Sequence, residues 1–160
     1  MDRSERQRLI EQYRTGAAEV EEALAGITDE ELDRRPAEPE GWTARQVAHH
    51  LADSEAMSDT RLRRLIADDE PLIAGYDEPA WARRLHYDRP IEPSIAVLRA
   101  VRTASLQLLE AIDEAEWNRT GTHTESGPYS VDGWLRIYAS HPHDHAAQIR
   151  EARAGSSSRP

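Results

Sequence analysis

The stretch from Ser130 to Gly155, SVDGWLRIYASHPHDHAAQIREARAG, decides the fold class. Within it Trp134, Tyr138, His141, His145, Gln148 and Ala152 recur at steps of four, three, four, three and four residues. That is helical period, so these side chains share one face. Ser130 is a residue type suited to an N-cap and Gly155 one suited to a C-terminal stop. His141 and His145 are i and i+4 on the inward stripe, so both imidazoles leave the same face one turn apart. His143 falls on the opposite side and is expected in solvent. Pro142 sits inside the helix, lacks an N–H and crowds the carbonyl of Tyr138, at a cost of ~3 kcal/mol in an ordinary helix. A local kink or bulge that re-aims the two histidines is expected there, against the alternative of a bend at the solvent face.

Working outward, three more stripes have helical period. The first is Leu9, Tyr13, Ala17, Val20, Leu24 and Ile27. Thr28 then opens a short extra turn, and Pro36 to Pro39 break the pattern. The second is Val47, Leu51, Ser54, Ser58, Leu62 and Leu65, introduced by Thr43 with Gln46 three residues on, a capping-box signature. The third is Ile95, Leu98, Val101, Ser105, Leu108 and Ile112. A long connection, Leu72 to Pro90, separates the second and third helices, with a short helix expected over Asp77 to Arg83. Connections of that length are unusual between neighbouring helices and indicate a crossover. Thr120 to Tyr129, with two glycines and a proline, reads as a loop or a short hairpin. The expected fold is therefore all-α, a four-helix bundle in one domain over residues 1–154, followed by a disordered tail at 155–160.

Composition removes several function classes. The chain of 160 residues carries a net charge of −10, which argues against nucleic acid, since phosphate recognition needs a basic surface. There is no cysteine, hence no disulfide and no thiolate from the protein. The polar start MDRSERQRLIEQ lacks the apolar core of a signal peptide, and no run approaches the roughly 18 apolar residues of a membrane span. A cytoplasmic location is expected.

Seven histidines remain to be placed. His50 shares its face with Val47, Leu51, Ser54 and Met57, which is mostly apolar. His49 shares its face with Arg45, Gln46, Asp53 and Ala56, which is mostly polar. So His50 is expected inward and His49 outward or sideways. His50, His141 and His145 could then converge in the bundle core. A single inward histidine is more often a hydrogen-bonded core residue than a ligand; three together without a metal would leave polar nitrogens to satisfy, at ~1–3 kcal/mol for each one unmet.

The stretch Gly41–Ser54, GWTARQVAHHLADS, together with His141-x-x-x-His145-Ala146-Ala147-Gln148-Ile149, resembles the signature of the DinB/YfiT-like superfamily, YfiT branch. The likeness runs from about Arg8 to Arg153. It implies a four-helix bundle with a long crossover, often a homodimer, with one zinc- or nickel-type ion on His50, His141 and His145. Three histidines leave a coordination position open, as catalytic sites do and closed structural sites do not. The resemblance implies either a bacillithiol- or mycothiol-type S-transferase, the thiol coming from a small co-substrate, or a metal-dependent hydrolase that activates water. A non-catalytic metal- or ligand-binding bundle is the third reading; a fourth ligand among Asp53, Glu55 and Asp144 would favour it. Ser54 and Gln148, one turn beyond His50 and His145, could orient a ligand or bound water, or simply pack at a polar seam. Arg45 and Arg83 could attract an acidic thiol. Trp42, Trp81, Trp117 and Trp134 either line a pocket or pack, and packing is the usual role.

Overall fold

A computed structural model describes residues 1–36 and 41–154. The chain runs α1 (Arg3–Leu24), α2 (Asp29–Leu32), α3 (Ala44–Ala67), β1 (Leu72–Ile73), α4 (Glu78–Arg84), α5 (Glu92–Ala111), α6 (Glu114–Trp117), β2 (Thr120–His123), β3 (Gly127–Ser130) and α7 (Val131–Ala154). The stop expected at Gly155, the tail at 155–160 and most of the break from Pro36 to Pro39 lie outside the described residues.

Side chains fix most helix starts. Thr43 accepts from Gln46 N while Gln46 Oε1 accepts from Thr43 N, the expected capping box. Thr28 and Glu31 do the same for α2, and Asp113 and Glu116 for α6. Ser130 Oγ accepts from Gly133 N at 3.0 Å and starts α7.

The four long helices form a bundle in which α1 packs along α7, α7 along α3, α3 along α5 and α5 along α1. α1 with α3 and α5 with α7, each pair consecutive among the long helices, therefore stand on the diagonals. The long connection joins α3 to its neighbour α5. It carries α4 and β1, and β1 pairs in parallel with β2, which pairs antiparallel with β3. The expected loop at 120–129 is thus the hairpin half of a three-stranded sheet.

Two apolar clusters fill the bundle. One gathers Tyr13, Leu62, Leu65, Leu109, Trp134 and Leu135, the other Val20, Val47, Leu51, Leu98, Ala146 and Ile149. Between them lies a buried polar network that touches all four long helices. Tyr13 Oη donates to Glu55 Oε1 at 2.6 Å, and Arg102 Nη1 donates to Glu55 Oε2 at 2.9 Å. Arg102 also donates through Nη2 to the Tyr13 carbonyl at 2.5 Å and through Nη1 to the Tyr138 carbonyl at 3.3 Å. Burial and the Glu55 carboxylate hold the Tyr13 hydroxyl far above its ordinary pKa, so it stays a donor.

This network explains Pro142. The helix is not interrupted there, contrary to the expected kink or bulge. Proline cannot donate to the Tyr138 carbonyl, and Arg102 from α5 supplies the missing donor. Nor does Pro142 face solvent. It is buried against α1 at Gly16, where an added Cβ would sit 2.5 Å from Pro142 Cγ. The α5 stripe differs accordingly from the expected one. Ser94, Leu98, Arg102, Ser105 and Leu109 point inward, because the guanidinium of Arg102 finds a carboxylate and two carbonyls in the core.

Candidate metal centre

His50 comes from α3, and His141 and His145 from α7. Each of the three offers a ring nitrogen within 4.8 Å of the others'. His145 Nε2 and His141 Nε2 are 3.1 Å apart. The ring centroids lie 5.4 Å apart for His50 and His141, 4.9 Å for His50 and His145, and 4.5 Å for His141 and His145.

Neighbours hold these rings. His145 Nδ1 lies 2.8 Å from Gln148 Oε1, so it is the protonated nitrogen and leaves the Nε2 lone pair facing His141. Trp42 meets His50 edge-on at 4.7 Å. Tyr138 meets His141 at 5.9 Å, and its hydroxyl is fixed by Arg61 Nη1 at 2.9 Å.

Burial disfavours the charged imidazolium at all three. His50 is lowered to about 4 and His141 to about 3, each with a further push from His145, and His145 is lowered as well. The cluster is neutral at physiological pH, the form that ligates metals. A proton shared by His141 and His145 would leave His50 out, for it makes no hydrogen bond among the described residues and its Nδ1 is buried without a partner. A divalent cation would engage all three. With Zn–N of about 2.0–2.1 Å in tetrahedral geometry, two ligand nitrogens stand ~3.4 Å apart, close to the observed Nε2 pair. The donor set fits such an ion.

The remaining sequence candidates separate. Glu55 belongs to the core network, Asp53 accepts from Tyr87 Oη at 2.6 Å, and Asp144 is exposed. No carboxylate joins the histidine cluster among the described residues. His49 does not reach solvent; it is fully buried, lying sideways between Ser94 Oγ at 2.7 Å and the Arg89 carbonyl at 2.9 Å. His143, expected in solvent, is half-buried against α1, 2.9 Å from the Gln12 carbonyl. Arg45 is buried and paired with Asp33 and Asp29, and Arg83 is exposed on α4, so neither serves the cluster. Trp134 and Trp117 are core residues, the first donating to the Ser58 carbonyl at 2.8 Å and the second covered by Arg6. Trp81 stacks on Tyr76 at 4.4 Å. The α7 core stripe proper is Val131, Trp134, Leu135, Tyr138, Ala139, Pro142, Ala146, Ile149 and Ala152, which keeps Trp134, Tyr138 and Ala152 of the expected one. His141, His145 and Gln148 stand on its edge, which is what lets the cluster meet open space.

That space is a cleft of about 250 Å³ reaching His141. Its walls come from α3 (Ser54, Arg61), the start of the long connection (Tyr76, Glu78), the hairpin (His123, Tyr129) and α7 (Tyr138). Sequence reading missed Arg61, Tyr76 and Glu78. Arg61 stands off the apolar stripe of α3 and resembles a surface cation, and Tyr76 and Glu78 come from the long connection, which only the β1–β2 pairing brings over the bundle.

The sequence pattern of the DinB superfamily matches residues 12–149. A provisionally named metal-dependent hydrolase of Oceanobacillus iheyensis is 40% identical over 109 residues, a match spanning 68% of this chain and 63% of that protein. YfiT of Bacillus subtilis, also provisionally named a metal-dependent hydrolase, is 33% identical over 137 residues, spanning 84% of this chain and 76% of YfiT. The solved structure of YfiT, described as "a probable metal-dependent hydrolase with an unusual four-helix bundle topology", superposes with a TM-score of 0.88 at 28% identity, covering 95% of this chain and 87% of that one. Sequence pattern, relatives and architecture agree, and the chain belongs to the DinB superfamily.

Proposed function

We propose that His50, His141 and His145 hold one divalent metal ion, zinc or nickel, and that the protein is an enzyme in which this centre activates a low-molecular-weight thiol for transfer to an electrophile. The observation that carries the reading is the donor set: three neutral imidazoles brought together from two helices, with no carboxylate beside them among the described residues. A divalent ion bound there supplies Lewis acidity, which lowers the pKa of a coordinated water or thiol.

The protein's own groups do the rest. Gln148 fixes the tautomer and ring angle of His145. Trp42 shields His50 from water. The cleft beside His141 receives the reacting molecule, with Tyr138 and Arg61 forming a rigid side wall. Asp53 and Glu55 are committed to Tyr87 and Arg102, so neither is free to take a proton at the centre. That arrangement suits a nucleophile that loses its proton easily. A thiol starts near ~8.5, whereas water starts at about 15.7. The chain has no cysteine, so the thiol is a co-substrate. Hydrolysis is the second reading, favoured by the names given to the Oceanobacillus protein and to YfiT.

The test loads the protein with zinc or nickel and supplies a cysteinyl-glucosaminide thiol with a bimane electrophile, in parallel with a panel of esters and amides. Conjugation that vanishes in His141→Ala and on chelation supports thiol transfer. Cleavage of the panel without conjugation replaces it with hydrolysis. Metal affinity unchanged in His50→Gln and in His141→Ala removes the metal centre altogether.

A further inference from the structure

The cleft beside His141 holds two opposite charges that do not meet. Arg61 donates only to neutral acceptors, the Tyr138 hydroxyl at 2.9 Å and the Ala74 carbonyl at 3.0 Å, and its Nε is buried without a partner. Its sequence neighbours Arg63 and Arg64 each find a carboxylate, Asp59 at 2.7 Å and Asp68 at 2.9 Å. Glu78, on the same cleft, makes no ion pair or side-chain hydrogen bond among the described residues. Further donors stand beside Arg61. The Tyr76 hydroxyl is buried and approaches Ser54 without reaching hydrogen-bond geometry. Burial raises the Tyr76 hydroxyl to about 12, so it keeps its proton, and the Arg61 guanidinium lies 5.7 Å from its ring centre.

A cation left without a carboxylate is expected to pair with a ligand's anion, since buried polar groups are otherwise satisfied within the protein. An acid in the same cleft that feels that cation without forming an ion pair with it offers the complementary pole. Glu125, whose carboxylate packs on Gly75, adds negative charge near Glu78. The cleft is thus polarised, with Arg61, Tyr76 and Ser54 as its donor end and Glu78 as its acceptor end. At about 250 Å³ it is slightly smaller than the ~300 Å³ at which ligand pockets commonly begin, so its occupant is compact.

We propose that this cleft binds the dipolar head of an amino acid or short peptide, its carboxylate on Arg61, Tyr76 and Ser54 and its ammonium on Glu78. The proposal rests on the cleft serving the histidine centre as its substrate pocket, yet the recognition needs no metal. A substrate of this class carries its reacting group toward His141 while both charges are held by the walls.

The test measures binding of glycylglycine, N-acetylglycylglycine and glycylglycine amide to the full chain by calorimetry, metal-free and zinc-loaded. Glycylglycine is expected to bind in both states, with each blocked form at least about tenfold weaker, because each loses one charge-assisted contact. Arg61→Gln is expected to abolish the preference over the amide, and Glu78→Gln the preference over the acetylated form. Tyr76→Phe leaves the contacts of Arg61 intact and is expected to weaken glycylglycine about tenfold, which covers the case of an Arg61 variant that does not fold. His50→Gln removes the metal centre and is expected to keep the ranking of the three probes, so loss of metal binding and loss of this site are told apart. Equal binding of all three probes, or none in either state, overturns the proposal.

Discussion

Arg102 replaces the donor that Pro142 lacks, and a double-mutant cycle measures that substitution. In Arg102→Met the Glu55 carboxylate loses its partner in the core, a type of loss that costs about 3–5 kcal/mol. The Tyr138 carbonyl also loses its donor. An unmet buried acceptor costs ~1–3 kcal/mol, and the 3.3 Å contact places this one at the low end, about 1 kcal/mol. The same replacement in a Pro142→Ala background differs in one respect. The substituted alanine has an N–H, which reaches the Tyr138 carbonyl within the helix, so only the losses at Glu55 and at the Tyr13 carbonyl remain. Those two contributions are common to both backgrounds and cancel. The cycle is expected to give a coupling of about 1 kcal/mol, with Arg102→Met less harmful when Pro142 is absent. Urea unfolding of the four proteins, with slopes compared to verify two-state behaviour, reads it out. Typical domains have about 5–15 kcal/mol in total, so Arg102→Met lies near the limit of folding; Arg102→Lys, which keeps a charge beside Glu55 but loses the planar fork, is the milder version. Additive effects, within about 0.3 kcal/mol, would refute the role given to Arg102 at this carbonyl.

Three further outcomes follow from the same structure. Burial holds His50 at about 4 and His141 at about 3 against an ordinary 6.5, so between those values the unfolded chain binds more protons than the folded one. Stability of the chelated protein therefore falls as pH falls through that window, by at most ~1.4 kcal/mol per histidine per pH unit; a urea midpoint equal at about pH 7.5 and about pH 5 contradicts this, and His50→Gln should reduce the slope. Gly16→Ala puts a methyl 2.5 Å from Pro142 Cγ and 2.9 Å from Arg102 Nη2, and is expected to lose ~1–3 kcal/mol in thermal or urea melts although alanine favours helix by ~1 kcal/mol. Gln148→Ala frees the Nδ1–H of His145 and is expected to lower zinc affinity ~10–100-fold by chelator competition with the melting temperature little changed; unaltered affinity removes Gln148 as a positioning residue.

The long helices were legible because one-sided apolar period needs no knowledge of the partner, and the second stripe from Val47 to Leu65 is buried as read. Local capping chemistry likewise located Thr43 and Ser130. His50, His141 and His145 could be singled out by facing. Polarity misled where a polar group had a buried partner from far along the chain. Arg102, Arg45 and His49 look like surface residues until Glu55, Asp33 and Ser94 are brought against them. Pro142 looked like a kink or bulge because the donor that satisfies Tyr138 lies 36 residues away in sequence. The cleft was invisible for a related reason: its outer wall is held by strands of two and four residues, too short to show period.

Those strands have a consequence for how the pocket can vary. β1 pairs Leu72 with Thr122 and Ile73 with His123, and Gly75 N donates to Thr124 Oγ1 at 3.0 Å. The segment bearing Tyr76 and Glu78 is thereby buttoned to the hairpin bearing His123 and Tyr129, while the imidazoles ride on the rods beneath. Remodelling either flap alone tears the seam; grafting both together reshapes the entrance and leaves the cation cradle untouched.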